Sequence, residues 1–378
     1  MHKLLWTLTT AATVALSGVV AVPAYAVGTP ALPPLRPAAL KATIAGLPNA
    51  EASGALVQIR GAAGCWQGTA GVAETGTDRT VPHDGRFRIG SMTKAFTASV
   101  ALQLVGEGRL DLDGSVQGYL PGFLPADYPT ITVRQVLTYT SGLNGTAVPH
   151  KDPAWFFVHR YDHWDAGSQI DLTRPLAFPP GTKQRYGNVD YWMAGLLIER
   201  VTGHRWEQEV TDRIIEPLRL RGTSAPTGRE IPGPHAHGYE ATGSGWVDVT
   251  SADPSLQWSA AAMISTAGDL DRFVVALFQG RVVPPAQLEL MFTPPDVPAY
   301  DGDTDDSDDR PADYAIGLAR YRIGAVTVWG KTGDRPGYNN GAGATRDLSR
   351  RLVFSINTLH MGGDQPDLTK QVIAAAFS

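Results

Sequence analysis

The sequence predicts an α/β (α+β) fold, in which one antiparallel sheet is flanked by helices and an all-helical region is inserted between its strands. Three observations carry this. Strand-like segments lie at both ends of the chain and are joined by short turns, which favours antiparallel pairing. Helical periodicity fills the middle third, between long loops rich in Pro, Gly and Trp. Residues 95–105 (AFTASVALQLV) hold no charge and are apolar on every face of a helical wheel, the pattern of a helix buried on all sides.

The chain opens on His2 and Lys3, runs mostly apolar from Leu4 to Val22, and reaches Ala24-Tyr25-Ala26. That is the pattern of a signal peptide over 1–26, cleaved after Ala26, and it predicts a secreted, extracellular protein. The apolar run ends close to Pro23 and is short for a membrane span, and no later segment could serve as one. A Pro-rich linker follows over 27–37. The remaining domain, 38–378, divides into a sheet region (about 38–108 and 270–378) and a helical region (about 109–269). Its periodicity predicts helices over 38–47, 133–138, 191–201, 207–218, 269–278 and 368–377. Strands are expected over 55–60 and 65–73 as a hairpin, then 87–89, 314–323, 325–329, 342–346 and 352–357.

Composition removes several classes of function. Lys plus Arg number 32 against 37 Asp plus Glu, and a net charge of −5 disfavours nucleic acid as a partner. Cys65 is the single cysteine, so no intrachain disulfide forms; GAAGCWQG offers it no basic neighbour, and it reads as a small buried strand residue. The acidic run DGDTDDSDDR (301–310) lacks the glycine and closing glutamate of a calcium loop and reads as a solvated surface loop. His159 and His163 lack the glutamate of H-E-x-x-H, and His235-Ala236-His237 has no third ligand nearby. The expectation is no metal and no cofactor. G-x-S-x-G is absent, which disfavours an α/β-hydrolase.

Three short clusters carry chemistry. Gly90-Ser91 opens the apolar helix and Gly106 and Gly108 mark its end, so Ser91 stands where free backbone N–H groups and the helix dipole favour negative charge. Lys94 lies one turn further on the same face. A lysine buried there is costly without partners or work, and a serine needs a neighbour to take its proton before it becomes a nucleophile. This S-x-x-K is unique in the chain. Next, Tyr186-Gly187-Asn188 precedes an amphipathic helix; a tyrosine shuttles protons if cations lower its pKa, and an asparagine both donates to and accepts from an amide. Taken alone, this tripeptide reads equally as a loop tyrosine and a helix cap. Finally, Val326–Trp329 reads as a strand continued by Lys331-Thr332-Gly333, along whose edge a substrate could pair as an added strand.

In this order the three clusters resemble the signatures of the serine penicillin-recognising enzymes. Tyr in the second cluster is similar to the branch of class C β-lactamases and Streptomyces-type D-alanyl-D-alanine carboxypeptidases. The flanking GRLDLDGSVQGYLPG, ITVRQVLTYTSGL, MAGLLIERVTG and MISTAGDLDRF resemble that branch too. The likeness runs from about Leu40 to the C-terminus and implies a β-lactamase/transpeptidase-like fold. It implies Ser91 as the nucleophile acylated by a D-Ala-D-Ala peptide or a β-lactam. It implies Tyr186, held toward phenolate by Lys94 and Lys331, as the group that takes the serine proton and passes it to the leaving nitrogen. Asn188 would hold the acyl amide, and the N–H groups of Ser91 and Asp334 would form an oxyanion hole, each donor contributing about 3–4 kcal/mol. Thr332 with Arg320 would anchor the substrate carboxylate beside Gly333, and Trp258 would form an aromatic wall. Trp258 reads equally as a core tryptophan.

Two departures matter. The third cluster is KTG, where some carboxypeptidase relatives carry HTG. Asp334 follows the glycine, where small or hydroxyl residues are more usual, and its carboxylate would repel a substrate carboxylate. The resemblance implies a serine hydrolase without cofactor, acting on a small peptide or β-lactam, foremost as a D-alanyl-D-alanine carboxypeptidase; the signal pattern adds secretion, and a monomer is expected. A class C-like β-lactamase or an esterase of the same fold is the alternative, and a non-catalytic penicillin- or peptidoglycan-binding protein the second.

Overall fold

The computed structural model describes residues 32–149, 152–243, 245–300, 310–360 and 367–377. The signal-like start and residues 301–309 of the acidic run lie outside the described residues. Six antiparallel strands form the central sheet: β1 (Ala52–Arg60), β2 (Trp66–Gly71), β3 (Ala319–Ile323), β4 (Val326–Arg335), β5 (Tyr338–Ala344) and β6 (Arg351–Thr358). Their order across the sheet is β2-β1-β6-β5-β4-β3. The first hairpin thus pairs with the last strand, Ile59 opposite Leu352 and Val57 opposite Phe354. The sheet is built from both ends of the chain, as the sequence predicts.

Strand alternation sends side chains to two cores. On one face Val57, Val328, Phe354 and Ile356 pack under α1 (Pro37–Thr43) and α5 (Asp367–Phe377) through Leu40, Val372 and Phe377. On the other, Trp329 and Val353 meet α2 (Thr93–Gly106) and α4 (Ala267–Phe278). Phe96 stacks on Phe273 with ring centroids 3.9 Å apart. Each such fully buried side chain contributes about 1.5–3 kcal/mol. Helix α2 is buried along nearly its whole length, and Thr97 inside it accepts from Trp206 Nε1 and donates to the Ser259 carbonyl. The short strand Arg86–Arg88 pairs with Ile264–Thr266 and delivers the chain to the start of α2. Across α2 from the sheet lies the helical region, led by α3 (Val189–Thr202), which ends at the left-handed Gly203. No helix among the described residues is long and apolar enough to cross a membrane.

The expected elements hold, with four local corrections. The strand expected from Tyr314 begins at Ala319, because the chain turns at Gly317 (φ 76°) where a side chain would strike Ala98 of α2. The glycine- and asparagine-rich 338–341 is strand, not loop, since Pro336-Gly337 closes a two-residue hairpin that pairs Arg335 with Tyr338. The helix expected over 207–218 is α-helical only over Trp206–Val210 and then widens into a π turn over Thr211–Ile215. Cys65 is exposed rather than buried, standing at the turn before β2.

Candidate active site

Ser91 sits in a 3₁₀ turn, Gly90–Met92, that leads into α2, pressed against β4. Two glycines make that contact feasible. Gly90 has φ 54°, and a Cβ there would lie 2.7 Å from the Asp334 nitrogen. A Cβ on Gly333 would lie 2.0 Å from the Ile89 carbonyl oxygen and 2.8 Å from the Ser91 nitrogen. The backbone nitrogens of Ser91 and Asp334, expected as the oxyanion donors, therefore flank one junction.

Lys94 is completely buried below this turn. Its Nζ lies 3.1 Å from Ser91 Oγ and donates to Asn188 Oδ1 at 2.7 Å and the Ala260 carbonyl at 3.0 Å, which leaves the amine lone pair for the serine proton. Burial, and then the positive charge of Lys331, drive its pKa well below that of a free lysine, against the opposing pull of Asp190. Asn188, at the start of α3, is fixed from its other end by donating to Gln257 Oε1 at 3.2 Å.

Tyr186 and Lys331 complete the cluster. Lys331 Nζ lies 4.4 Å from the Tyr186 ring centre and 5.5 Å from that of Tyr314, and donates to the Thr332 carbonyl at 3.1 Å. Lys94 Nζ lies 5.1 Å from the Tyr186 ring centre. Both lysine nitrogens thus stand over the ring face. This corrects the expectation of a phenolate: burial pushes the Tyr186 hydroxyl well above its usual range, opposed only in part by hydrogen bonding with Ser91. That contact is too long or too bent to form a regular hydrogen bond in the resting site, a common state of catalytic contacts that tighten around substrate. Tyr186 is protonated at rest. Burial holds Lys331 at about 8, with Asp334 pulling it back up.

The ladder between β3 and β4 stops at the Ala319–Gly330 pair, so residues 331–335 pair only with β5 among the described strands. The free edge expected for substrate is therefore present. Thr332 turns to the opposite face from Lys331, where its hydroxyl lies 3.4 Å from Tyr321 Oη. Two expected contributors are elsewhere. Arg320 is not a free anion anchor, because its guanidinium pairs with Asp313 at 3.1 Å and donates to the Ala312 carbonyl. Trp258 is no wall of the site: it is buried, edge-on to Trp206, with Gly195 of α3 closely apposed.

Beside Lys331 three tyrosine rings, Tyr139, Tyr186 and Tyr314, pack together instead, with ring centres 4.7–5.5 Å apart. Tyr314 and Gln257 were not legible in the sequence, Tyr314 because it reads as the start of a strand. Nor was Asp190, buried two residues after Asn188, whose carboxylate accepts from Ser141 Oγ at 2.5 Å and is raised by burial to about 7. The described residues contain no group of three or more His, Cys, Asp and Glu poised to hold a metal. A cavity of about 390 Å³ lies not around Ser91 but across β4, between Tyr321, Phe354, Ile373 and Phe377, sharing only Lys331 and Thr332 with the cluster.

The fold thus brings together a serine hydrogen-bonded to a buried lysine, a sheltered tyrosine and the free edge of an antiparallel sheet. The chain belongs to the Beta-lactamase family, whose model matches residues 40–377. A D-stereospecific amidohydrolase from Streptomyces sp. is 33% identical, with a TM-score of 0.78 over 90% of this chain and 98% of that one. Penicillin-binding protein 4 of Amycolatopsis lactamdurans is 33% identical over 153 residues, which is 40% of this chain and 39% of that protein. Protein flp of Staphylococcus aureus (strain MW2) is 29% identical over 194 residues, 50% of this chain and 38% of that protein. The chain spans well under half the length of these last two.

Proposed function

We propose that the protein hydrolyses amide bonds on the carbonyl side of a D-amino acid through an acyl-enzyme on Ser91. The observation that carries this is the 3.1 Å contact between Ser91 Oγ and a lysine whose burial favours the neutral amine. As a neutral amine Lys94 takes the Ser91 proton while Oγ attacks the carbonyl carbon, and the oxyanion forms between the Ser91 and Asp334 N–H groups. Tyr186, protonated at rest, gives its proton to the nitrogen as the C–N bond breaks and is restored from Lys94. Water then attacks the ester with Tyr186 and Lys94 in the reverse roles, releasing the acid. Lys331 steadies the negative charge that passes through Tyr186. The likeness to a D-stereospecific amidohydrolase along 90% of the chain supports the D preference. D-Alanyl-D-alanine carboxypeptidase activity is the case of this reaction in which the leaving group is a free amino acid.

Side-by-side turnover tests it, with D- and L-amino acid amides, a D-Ala-D-Ala peptide, a chromogenic cephalosporin and a short-chain ester. The D-configured amides and peptide are expected to be cleaved well ahead of the others. Labelled penicillin should acylate the protein, and Ser91→Ala should abolish the label; unchanged labelling would remove the nucleophile.

A further inference from the structure

We propose that Arg335 receives a carboxylate carried on the acyl half of the substrate, so that the protein favours amides whose D-amino acid bears an acidic N-acyl group. This rests on the amide-hydrolase reading of the Ser91 site and specifies its substrate class.

Arg335 ends β4, and strand alternation puts it on the same face as Lys331 and Gly333, the face against which the Ser91 turn packs. It is only 5% exposed, yet among the described residues its guanidinium has no hydrogen bond and no carboxylate within ion-pair distance. Burial and the like charge of Arg88 pull its pKa down to about 9, so at neutral pH it is a cation without a counter-ion. Such a buried charge is costly until a partner arrives. The sealed, unpartnered polar atoms of the described residues include Nε of Arg160 and Arg350 but no nitrogen of Arg335, so what little it exposes lies at the guanidinium.

The neighbouring charged groups are committed. Arg88, in the strand that leads to Ser91, donates to the carbonyls of Thr250, Arg229 and Ala252. Glu240 accepts from the Gly337 nitrogen at 3.0 Å, and Glu230 from Ser251 Oγ at 2.7 Å.

Which half of the substrate reaches Arg335 follows from the proton path. Tyr186 gives its proton to the leaving nitrogen, and its ring centre lies 4.4 Å from Lys331 Nζ. The leaving group therefore lies toward Lys331. The acyl half runs the other way from the Ser91 and Asp334 nitrogens, toward Arg335, which stands about 7 Å beyond Gly333 along the strand. A planar guanidinium takes a carboxylate through two parallel hydrogen bonds, whereas an ammonium group arriving there meets a like charge.

The test is a matched pair of substrates, N-succinyl-D-alaninamide and the analogue whose succinyl carboxylate is replaced by a carboxamide. Acylation of Ser91 is followed by mass spectrometry and kcat/KM by ammonia release at low salt. The wild-type protein is expected to prefer the acid by about tenfold or more, the scale of a sheltered charge pair. Arg335→Met should bring the ratio to within about twofold of unity and, by removing an unpaired buried charge, unfold at a higher urea concentration than wild type. Equal use of the two substrates, a wild-type preference for the carboxamide, a ratio that Arg335→Met leaves unmoved, or a variant less stable than wild type overturns the proposal alone. Acylation by neither substrate overturns the amide-hydrolase reading and this proposal with it.

Discussion

Replacing Lys331 with methionine should inactivate the protein and stabilise it. The side chain is 5% exposed, and its pKa is lowered from 10.5 to about 8 chiefly by burial. That shift corresponds to about 3 kcal/mol paid to keep the ammonium ion inside. The faces of Tyr186 and Tyr314 return part of it, so Met, of similar volume, should raise stability by about 1–3 kcal/mol at pH 7. The sign in pH follows from proton counting. Below pH 8 the lysine is charged in both folded and unfolded chains and the full cost applies. Between about 8 and 10.5 the unfolded chain binds the proton that the folded one has lost, so wild-type stability rises with pH relative to the variant. The advantage of Met should therefore shrink above pH 8 and be gone near pH 10.5. Urea unfolding of both proteins at pH 7 and pH 9.5, with equal m-values, measures it. In parallel kcat/KM should fall by about 10²–10³, the scale of lost electrostatic help in an active site. A variant less stable than wild type, or a gap indifferent to pH, would refute the claim that this charge is held at a cost.

Tyr186→Phe should slow kcat by about 10²-fold, the scale of lost general acid–base help, with little change in stability because the hydroxyl has no regular partner. A near-normal rate in steady-state assays would move the whole proton transfer to Lys94. Gly333→Ala places a methyl group 2.0 Å from the Ile89 carbonyl, which neither backbone can vacate. It should cost about 2 kcal/mol or more in denaturant titration and slow penicillin labelling by about 10²-fold, because the Ser91 turn is displaced. Wild-type labelling by this variant would show that the turn and β4 are not in contact.

Much of the fold was legible because its signals are local. An uncharged helix, a Gly-containing hairpin near the start and alternating strands near the end each follow from the spacing of a few residues, and together they suffice for a sheet closed by both termini. What went astray also has local causes. Residues 338–341 carry too little side chain to announce a strand, yet they pair fully once β4 lies beside them. Residues 314–318 look like one, yet Gly317 turns them aside against α2.

The sequence by itself determined which groups meet: Ser91 and Lys94 share a helical turn, and the glycines at 90 and 333 permit the close approach that assembles them with β4. Ionisation, direction and partnership were decided only in the tertiary structure. Tyr186 keeps its proton because burial disfavours the phenolate; Arg320 is paired with Asp313; Trp258 packs inward against Trp206, and Tyr314 stacks on Tyr186. The physical reason is that motifs specify covalent neighbours. Desolvation and charge pairing depend instead on everything within several ångströms, most of it drawn from distant parts of the chain.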